Sequence, residues 1–197
     1  MLPSEEHEHS SAASPPVRDL TIGDALREAC AHAGDKPALL AGTADPAKRR
    51  EWTYIELLYE ADTAARALLA RFEPGERVAV WAPNVPEWVI MEYACALAGV
   101  VLVTVNPSYQ PHELAYVLKQ SRASGIFLLP EFRGNPMLAH LQSIEGDCSD
   151  LKHVVLLTEW QEFLASDKGA PLPEVTPNTD CMIQYTSGTT GFPKGAL

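Results

Sequence analysis

The distribution of apolar and polar residues along the chain predicts helices that alternate with short strands. Thr21 and Thr53 each stand three positions before an acidic residue, which is the spacing of a helix capping box. The first helix is predicted to run to about His32, and the second to about Phe72. In the second helix the apolar residues at helical spacing predict one buried stripe: Leu57, Leu58, Ala61, Ala65, Leu68 and Leu69.

Downstream of the second helix, short apolar runs alternate with segments of helical character. The predicted strands are 77–81, 100–105, 125–129, 153–157 and 181–185. The predicted helices are 86–98, 111–121, 136–144 and 159–165. Apolar strands that alternate with helices indicate an α/β fold, with a doubly wound, mainly parallel sheet, helices on both faces and right-handed connections.

Changes in composition divide the chain into a tail and one partial domain. Residues 1–16 are polar and acidic and are predicted to form a disordered tail. Residues 17–197 are predicted to form the domain, with a Pro-rich linker at 169–179. The strand that follows this linker can belong to the same sheet or to a neighbouring one.

The segment YTSGTTGFPKG, residues 185–195, joins hydroxyls, glycines and one lysine directly after an apolar strand. Glycines let backbone N–H groups converge, hydroxyls donate hydrogen bonds, and a lysine supplies a compact positive charge. Ligands of α/β sheets bind where strands end. The segment therefore predicts a polyphosphate-binding loop, although a surface linker can have the same composition. It is not a Walker loop, because Gly195 stands where that motif needs Ser or Thr after Lys194.

This segment resembles the signature loop of the adenylate-forming superfamily of AMP-dependent synthetases and ligases, which includes acyl-CoA synthetases, luciferases and peptide-synthetase adenylation domains. Two upstream segments, EWTYIEL at 51–57 and ALAGVVLVTVNP at 96–107, resemble the first two core motifs of the superfamily in order and spacing. Residues 77–84 and 106–114 are most similar to the medium- and long-chain fatty acyl-CoA synthetase branch. The resemblance covers the chain from about Leu20 onward.

The resemblance implies that the loop holds the β- and γ-phosphates of ATP, with Pro193 and Gly195 shaping it. The phosphate-binding residues would be Thr186, Ser187, Gly188, Thr189, Thr190, Gly191 and Lys194. The implied enzyme is an AMP-forming acid–thiol ligase that activates a carboxylic acid, namely a fatty acid, as acyl-AMP and transfers the acyl group to coenzyme A. ATP, Mg²⁺ held through the ATP phosphates, and coenzyme A as co-substrate are the implied cofactors.

The later motifs of the superfamily, including its carboxy-terminal catalytic lysine, have no counterpart in these 197 residues. We therefore expect an amino-terminal portion, cut just after the phosphate loop, that contains no catalytic residue and is inactive alone. Two alternatives stay open. One is a naturally short, non-catalytic module for nucleotide binding or interaction, and the other is an enzyme that adenylates aryl or amino acids.

Charge and composition exclude several other classes. A net charge of -11 argues against a nucleic-acid partner, because phosphate neutralisation needs clustered Lys and Arg. The absence of a long unbroken apolar run and of a targeting pattern at the amino terminus predicts a soluble, cytoplasmic protein without a transmembrane segment. The four cysteines lack C-x-x-C spacing, and three of them lie within apolar elements, so they are predicted to be buried free thiols: Cys30, Cys95, Cys148 and Cys181.

The spacing of the residues argues against two other kinds of active site. His112 and Glu113 begin like a zinc-protease helix, but Tyr116 stands where the second histidine is needed. Ser187 lies outside a G-x-S-x-G motif, which disfavours a serine hydrolase. No metal site is predicted, and the four large aromatic residues beside the strands are predicted to be core: Trp81, Trp88, Tyr93 and Tyr109.

Overall fold

A computed structural model describes residues 18–43, 45–186 and 193–197 of the chain. The predicted tail at 1–16 and the middle of the predicted phosphate loop, 187–192, lie outside the described residues. The division of the chain at residue 16 stays a prediction.

The described residues contain helices and strands in the predicted alternation. The helices are α1 Ile22–Ala33, α2 Tyr54–Leu69, α3 Pro86–Ala98, α4 Pro111–Ser121, α5 Met137–Ile144 and α6 Trp160–Leu164. The strands are β1 Pro37–Leu40, β2 Glu51–Thr53, β3 Arg77–Trp81, β4 Val101–Val105, β5 Gly125–Leu128, β6 His153–Leu156, β7 Met182–Thr186 and β8 Lys194–Ala196. Every helix and strand predicted downstream of α2 is present within about two residues of its predicted bounds.

The main sheet has six strands in the order β6-β5-β3-β4-β7-β8. All neighbours in it are parallel except β7 and β8, which are antiparallel. The predicted α/β fold with a mainly parallel sheet is confirmed. Strand β7 pairs with β4 through Leu102↔Met182 and Val103↔Ile183. Strand β7 therefore belongs to the main sheet and not to a neighbouring one, which answers the question that the sequence left open after the linker.

The sheet separates two hydrophobic cores. Strand residues alternate between them, so that Val78 and Val80 face one core while Ala79 and Trp81 face the other. Helices α1, α2, α3 and α6 cover the first face, and α4 and α5 cover the second. Crossovers that run in opposite directions along the sheet thus place their helices on opposite faces, as right-handed connections require.

The predicted helix starts are confirmed in detail. The Thr53 hydroxyl accepts from the Glu56 backbone N–H at 3.2 Å, and the Glu56 carboxylate accepts from the Thr53 N–H at 2.8 Å. At α1, the Thr21 hydroxyl accepts from the Asp24 N–H at 2.9 Å. Each cap satisfies backbone donors that the first helical turn cannot pair internally.

Two features were not predicted. Strands β1 and β2 form a separate antiparallel two-stranded sheet. They were missed because each has only three or four residues, too few to show an alternation of apolar and polar positions. Strand β8 begins at Lys194, inside the segment that the sequence indicated to be one continuous loop. The four large aromatics are core as predicted: Trp81 is fully buried, and Trp88, Tyr93 and Tyr109 pack partly buried against the two cores.

All four cysteines are free, but the predicted burial holds only for Cys95 and Cys148, since Cys30 is partly buried and Cys181 is exposed. No helix in the described part of the chain is both long and apolar enough to cross a bilayer. The predicted linker, 169–179, has no helix or strand, and its Pro173 and Val175 lie against Gly99.

Candidate phosphate-binding site

The hairpin of β7 and β8 carries the ends of the predicted phosphate loop. Thr186 and Lys194 are direct partners across this hairpin, and Tyr185 pairs with Gly195 one step below them. The Thr186 hydroxyl lies 3.4 Å from the Lys194 carbonyl oxygen, to which it donates. The remaining predicted ligands lie outside the described residues: Ser187, Gly188, Thr189, Thr190 and Gly191.

The loop leaves the sheet at the edge where the parallel strands β3, β4, β5 and β7 all end. Two side-chain contacts tie the connections at this edge together. The Trp81 indole N–H donates to the Asn106 carbonyl oxygen at 2.9 Å, and the Asn135 amide donates to the Pro107 carbonyl oxygen at 2.9 Å. The carboxyl edge of a parallel sheet is where α/β folds bind ligands, so the fold places the segment in the expected position.

The alternation of the strands gives the hairpin one polar face and one packed face. Thr186 and Lys194 are exposed, whereas Tyr185 and Gly195 are partly buried. Directly opposed residues of an antiparallel pair point to the same side of the sheet, so the Thr186 hydroxyl and the Lys194 ammonium lie on one face. The ammonium supplies positive charge and hydrogen-bond donors, and the hydroxyl can donate to a phosphate oxygen when it turns away from the Lys194 carbonyl oxygen.

Gly195 is needed for close approach and not for an unusual backbone angle. A Cβ atom at this position would lie 2.9 Å from the Ile183 side chain, 3.2 Å from the Tyr185 ring and 3.3 Å from the Gln120 amide oxygen. Its φ angle lies outside the left-handed region. The sequence predicted a residue that shapes a loop, whereas the structure places Gly195 inside β8, where a side chain would push the hairpin away from α4.

The packed face of the hairpin rests on α4. The Tyr185 hydroxyl donates to the Gln120 amide oxygen and lies 3.4 Å from the Val117 carbonyl oxygen. Burial raises the pKa of Tyr185 to about 12, so the hydroxyl stays protonated and able to donate. Sequence reasoning missed Gln120, because it precedes Tyr185 by 65 positions and belongs to no motif.

Carboxylates do not cluster near the hairpin. Within residues 18–43, 45–186 and 193–197, no group of three or more His, Cys, Asp or Glu side chains is arranged to hold a metal ion.

Glu92 on α3 is half-buried, and burial raises its pKa above the ordinary value of a glutamate.

The sequence profile of the AMP-binding enzyme family matches residues 26–197, which is most of the chain. This chain belongs to the AMP-binding enzyme family. Its sequence is 32% identical to the putative acyl-CoA synthetase YngI of Bacillus subtilis over 90% of this chain and 37% of that protein. It is 30% identical to a mitochondrial medium-chain acyl-CoA ligase of Homo sapiens over 89% of this chain and 33% of that protein.

Solved structures of the family share the fold of this AMP-binding chain. A long-chain-fatty-acid-CoA ligase from Archaeoglobus fulgidus superimposes with a TM-score of 0.79 at 22% identity, over 92% of this chain and 37% of that chain. The chain thus spans about a third of the length of the curated relatives that it matches. Its architecture is that of the amino-terminal part of adenylate-forming enzymes.

Proposed function

We propose that this chain is the amino-terminal portion of an ATP-dependent, AMP-forming acyl-CoA ligase. The observation that carries the proposal is the Thr186–Lys194 pair, on one exposed face at the carboxyl edge of the sheet, in a chain of the AMP-binding family. In the proposed reaction a carboxylate attacks the α-phosphorus of ATP and displaces pyrophosphate. Coenzyme A then displaces AMP from the acyl adenylate and forms a thioester.

In this reaction the Lys194 ammonium and the Thr186 hydroxyl contact the β- and γ-phosphates of ATP. Negative charge moves onto the leaving pyrophosphate as the bond to the α-phosphorus breaks, so a fixed cation beside it lowers the barrier. The predicted ligands between them, Ser187 to Gly191, complete the phosphate site in the proposal. Mg²⁺ is proposed to bind through the ATP phosphates, where it neutralises the same charge.

The proposed acid substrate is a fatty acid of medium or long chain. Support comes from the relatives, whose names include a medium-chain acyl-CoA ligase, and from the two segments, 77–84 and 106–114, that resemble this branch. We also propose that residues 1–197 alone form no acyl-CoA, because the relatives that they match are about three times as long. A cytoplasmic location stays a prediction, which fractionation of native cells would check.

The first test is the affinity of the chain for MgATP, measured by isothermal titration calorimetry. We expect Lys194→Ala to raise the Kd about tenfold, since it removes one charge-assisted contact to phosphate. The matched control is Lys168→Ala, because Lys168 is exposed near the linker and its loss changes the net charge equally. Equal affinities of the two variants would contradict the assigned role of Lys194.

A second test uses partial reactions of a longer protein that contains this chain. Lys194→Ala is expected to slow formation of the acyl adenylate more than thioester formation from supplied acyl adenylate, because only the first step releases pyrophosphate. Equal slowing of both steps would count against a phosphate-binding role. Acyl-CoA formation by purified residues 1–197 would overturn the proposed inactivity.

A further inference from the structure

Lys194 belongs to β8, a strand that few backbone hydrogen bonds hold in place. Strand β8 contains three residues and lies at one edge of the sheet, where its strand neighbour among the described residues is β7. So short an edge strand makes few backbone hydrogen bonds and is not stable on its own. Contacts on the face of the hairpin must therefore fix where β8 lies.

The contact on that face joins three elements at one point. The Tyr185 hydroxyl of β7 donates to the Gln120 amide oxygen of α4. Gly195 of β8 lies beneath both side chains, since a Cβ there would be 3.2 Å from the Tyr185 ring and 3.3 Å from the Gln120 oxygen. Distances of this size leave no room for a side chain, so β8 is held directly against the hydrogen-bonded pair.

The register of the β7–β8 pair links the contact with α4 to the exposed face of the hairpin. Tyr185 pairs with Gly195, and the adjacent pair is Thr186 with Lys194. One pair faces α4 and the next faces away from it, because side chains alternate along a strand. A shift of β8 relative to α4 would therefore move the Lys194 ammonium by a similar distance relative to the rest of the sheet.

We propose that Gln120 of α4 is a positioning residue for Lys194, acting through its hydrogen bond with Tyr185 and the contact of both with Gly195. Gln120 itself touches no substrate. This inference rests on the proposed function in one respect only, namely that Lys194 binds phosphate. The position of β8 can be measured without any ligand.

The ligand-free test is amide hydrogen exchange of the peptide that spans 193–197, followed by mass spectrometry. We expect Gln120→Met and Tyr185→Phe each to speed exchange in this peptide about fivefold, which is the effect of one lost hydrogen bond. Gln120→Glu keeps an acceptor oxygen for the Tyr185 hydroxyl and should retain the wild-type exchange rate. Unchanged exchange in Gln120→Met, or equal exchange in Met and Glu variants, would overturn the inference.

The functional test is the Kd for MgATP of the same folded variants, measured well below their melting temperatures. Gln120→Met is expected to bind about fivefold more weakly, and the double variant no more weakly than Tyr185→Phe, because Tyr185→Phe already removes the hydrogen bond to Gln120 together with the contact to the Val117 carbonyl oxygen. A purely structural contact would lower the free energy of unfolding and leave the Kd unchanged, which would overturn the positioning role. Additive losses would also contradict it.

Two controls separate these effects from general surface changes. Gln142→Met on α5 and Tyr59→Phe on α2 make the same chemical changes at exposed positions away from the hairpin. Neither should change the exchange rate or the Kd. If the wild-type chain does not bind MgATP at all, the proposed function fails, while the exchange rates still decide whether Gln120 fixes β8.

Discussion

Glu60 is the buried charge of the first core, and three donors surround its carboxylate. It is 8% exposed, and its two oxygens accept from the Trp52 indole at 2.7 Å, the Trp160 indole at 2.8 Å and the Arg50 guanidinium at 2.9 Å. The Arg50 guanidinium also stacks 4.1 Å from the centre of the Trp52 ring. A buried carboxylate is tolerated only when it is paired in this way, so this cluster joins β2, α2 and α6.

We expect Glu60→Ala to lower the free energy of unfolding by about 3 kcal/mol, because it leaves two indole donors and a guanidinium without an acceptor. Urea denaturation measures this change. The control is Glu162→Ala, which removes the same charge from an exposed position of α6. A loss for Glu60→Ala within about 0.5 kcal/mol of the control would show that the carboxylate does not stabilise the fold.

The cysteines differ in the reactivity that the structure predicts for them. Cys181 is exposed, whereas Cys95 is buried and burial raises the pKa of its thiol above the ordinary value. Because the thiolate is the reactive form, iodoacetamide at pH 8 should modify Cys181 at least about tenfold faster than Cys95. Peptide mass spectrometry after brief labelling measures both rates. Denatured protein, in which the two should react alike, is the control, and similar native rates would contradict the burial of Cys95.

At the scale of single elements, the start of β5 packs tightly against the side chain of Phe72. Gly125 begins this strand, and a Cβ atom there would lie 2.4 Å from the Phe72 ring. Phe72 is 2% exposed, and its ring packs edge-on against His153 with the ring centres 5.0 Å apart. The ring therefore has no free space into which it could move.

Gly125→Ala is accordingly expected to cost about 1–3 kcal/mol of unfolding free energy through overpacking. The change in the urea midpoint at constant slope gives this value. Gly146→Ala is the matched control, because nothing lies within 4 Å of the Cβ position at Gly146 and its φ is ordinary. Equal stabilities of the two variants would show that the core accommodates the added methyl group.

For the molecule as a whole, strand pairing and coverage by the cores are most extensive at the centre of the main sheet and decrease toward its edges. Strand β3 pairs over its whole length with β4 and along four positions with β5, and cores on both faces cover it. Strand β7 is attached to β4 by two residue pairs, and β1 with β2 forms a sheet of two strands. Local opening should therefore begin at the edges.

Amide hydrogen exchange of the intact chain tests this gradient. We expect the slowest exchange in β3 and in the adjoining parts of β4 and β5, and faster exchange in the β1–β2 sheet and in β8, because β1, β2 and β8 each pair with a single strand among the described residues. Peptide-level mass spectrometry over a time series provides the comparison. Uniform protection across all strands would contradict the gradient and would indicate that the chain opens only by global unfolding.

Those elements of the fold that depend on local patterns can be predicted from the amino-acid order alone. Helix α2 was predictable because the Thr53–Glu56 cap and the apolar stripe lie within one continuous segment. The parallel strands were predictable because strands buried on both faces are apolar throughout. The signature segment also indicated the family, since its residues are contiguous in the sequence.

Contacts between residues far apart in the chain depend on how the strands and helices assemble. Glu60 and Trp160 are 100 positions apart, and Gln120 and Tyr185 are 65 apart, so no local pattern records either contact. The proximity of Gln120 and Tyr185 follows from the strand order, which puts β7 beside β4 and places α4 beneath the β7–β8 hairpin. The sequence predicted Lys194 to be a phosphate ligand, which stays a prediction. The pairing of β8 with β7 places Lys194 on the same exposed face as Thr186, because opposed residues of an antiparallel pair point to one side.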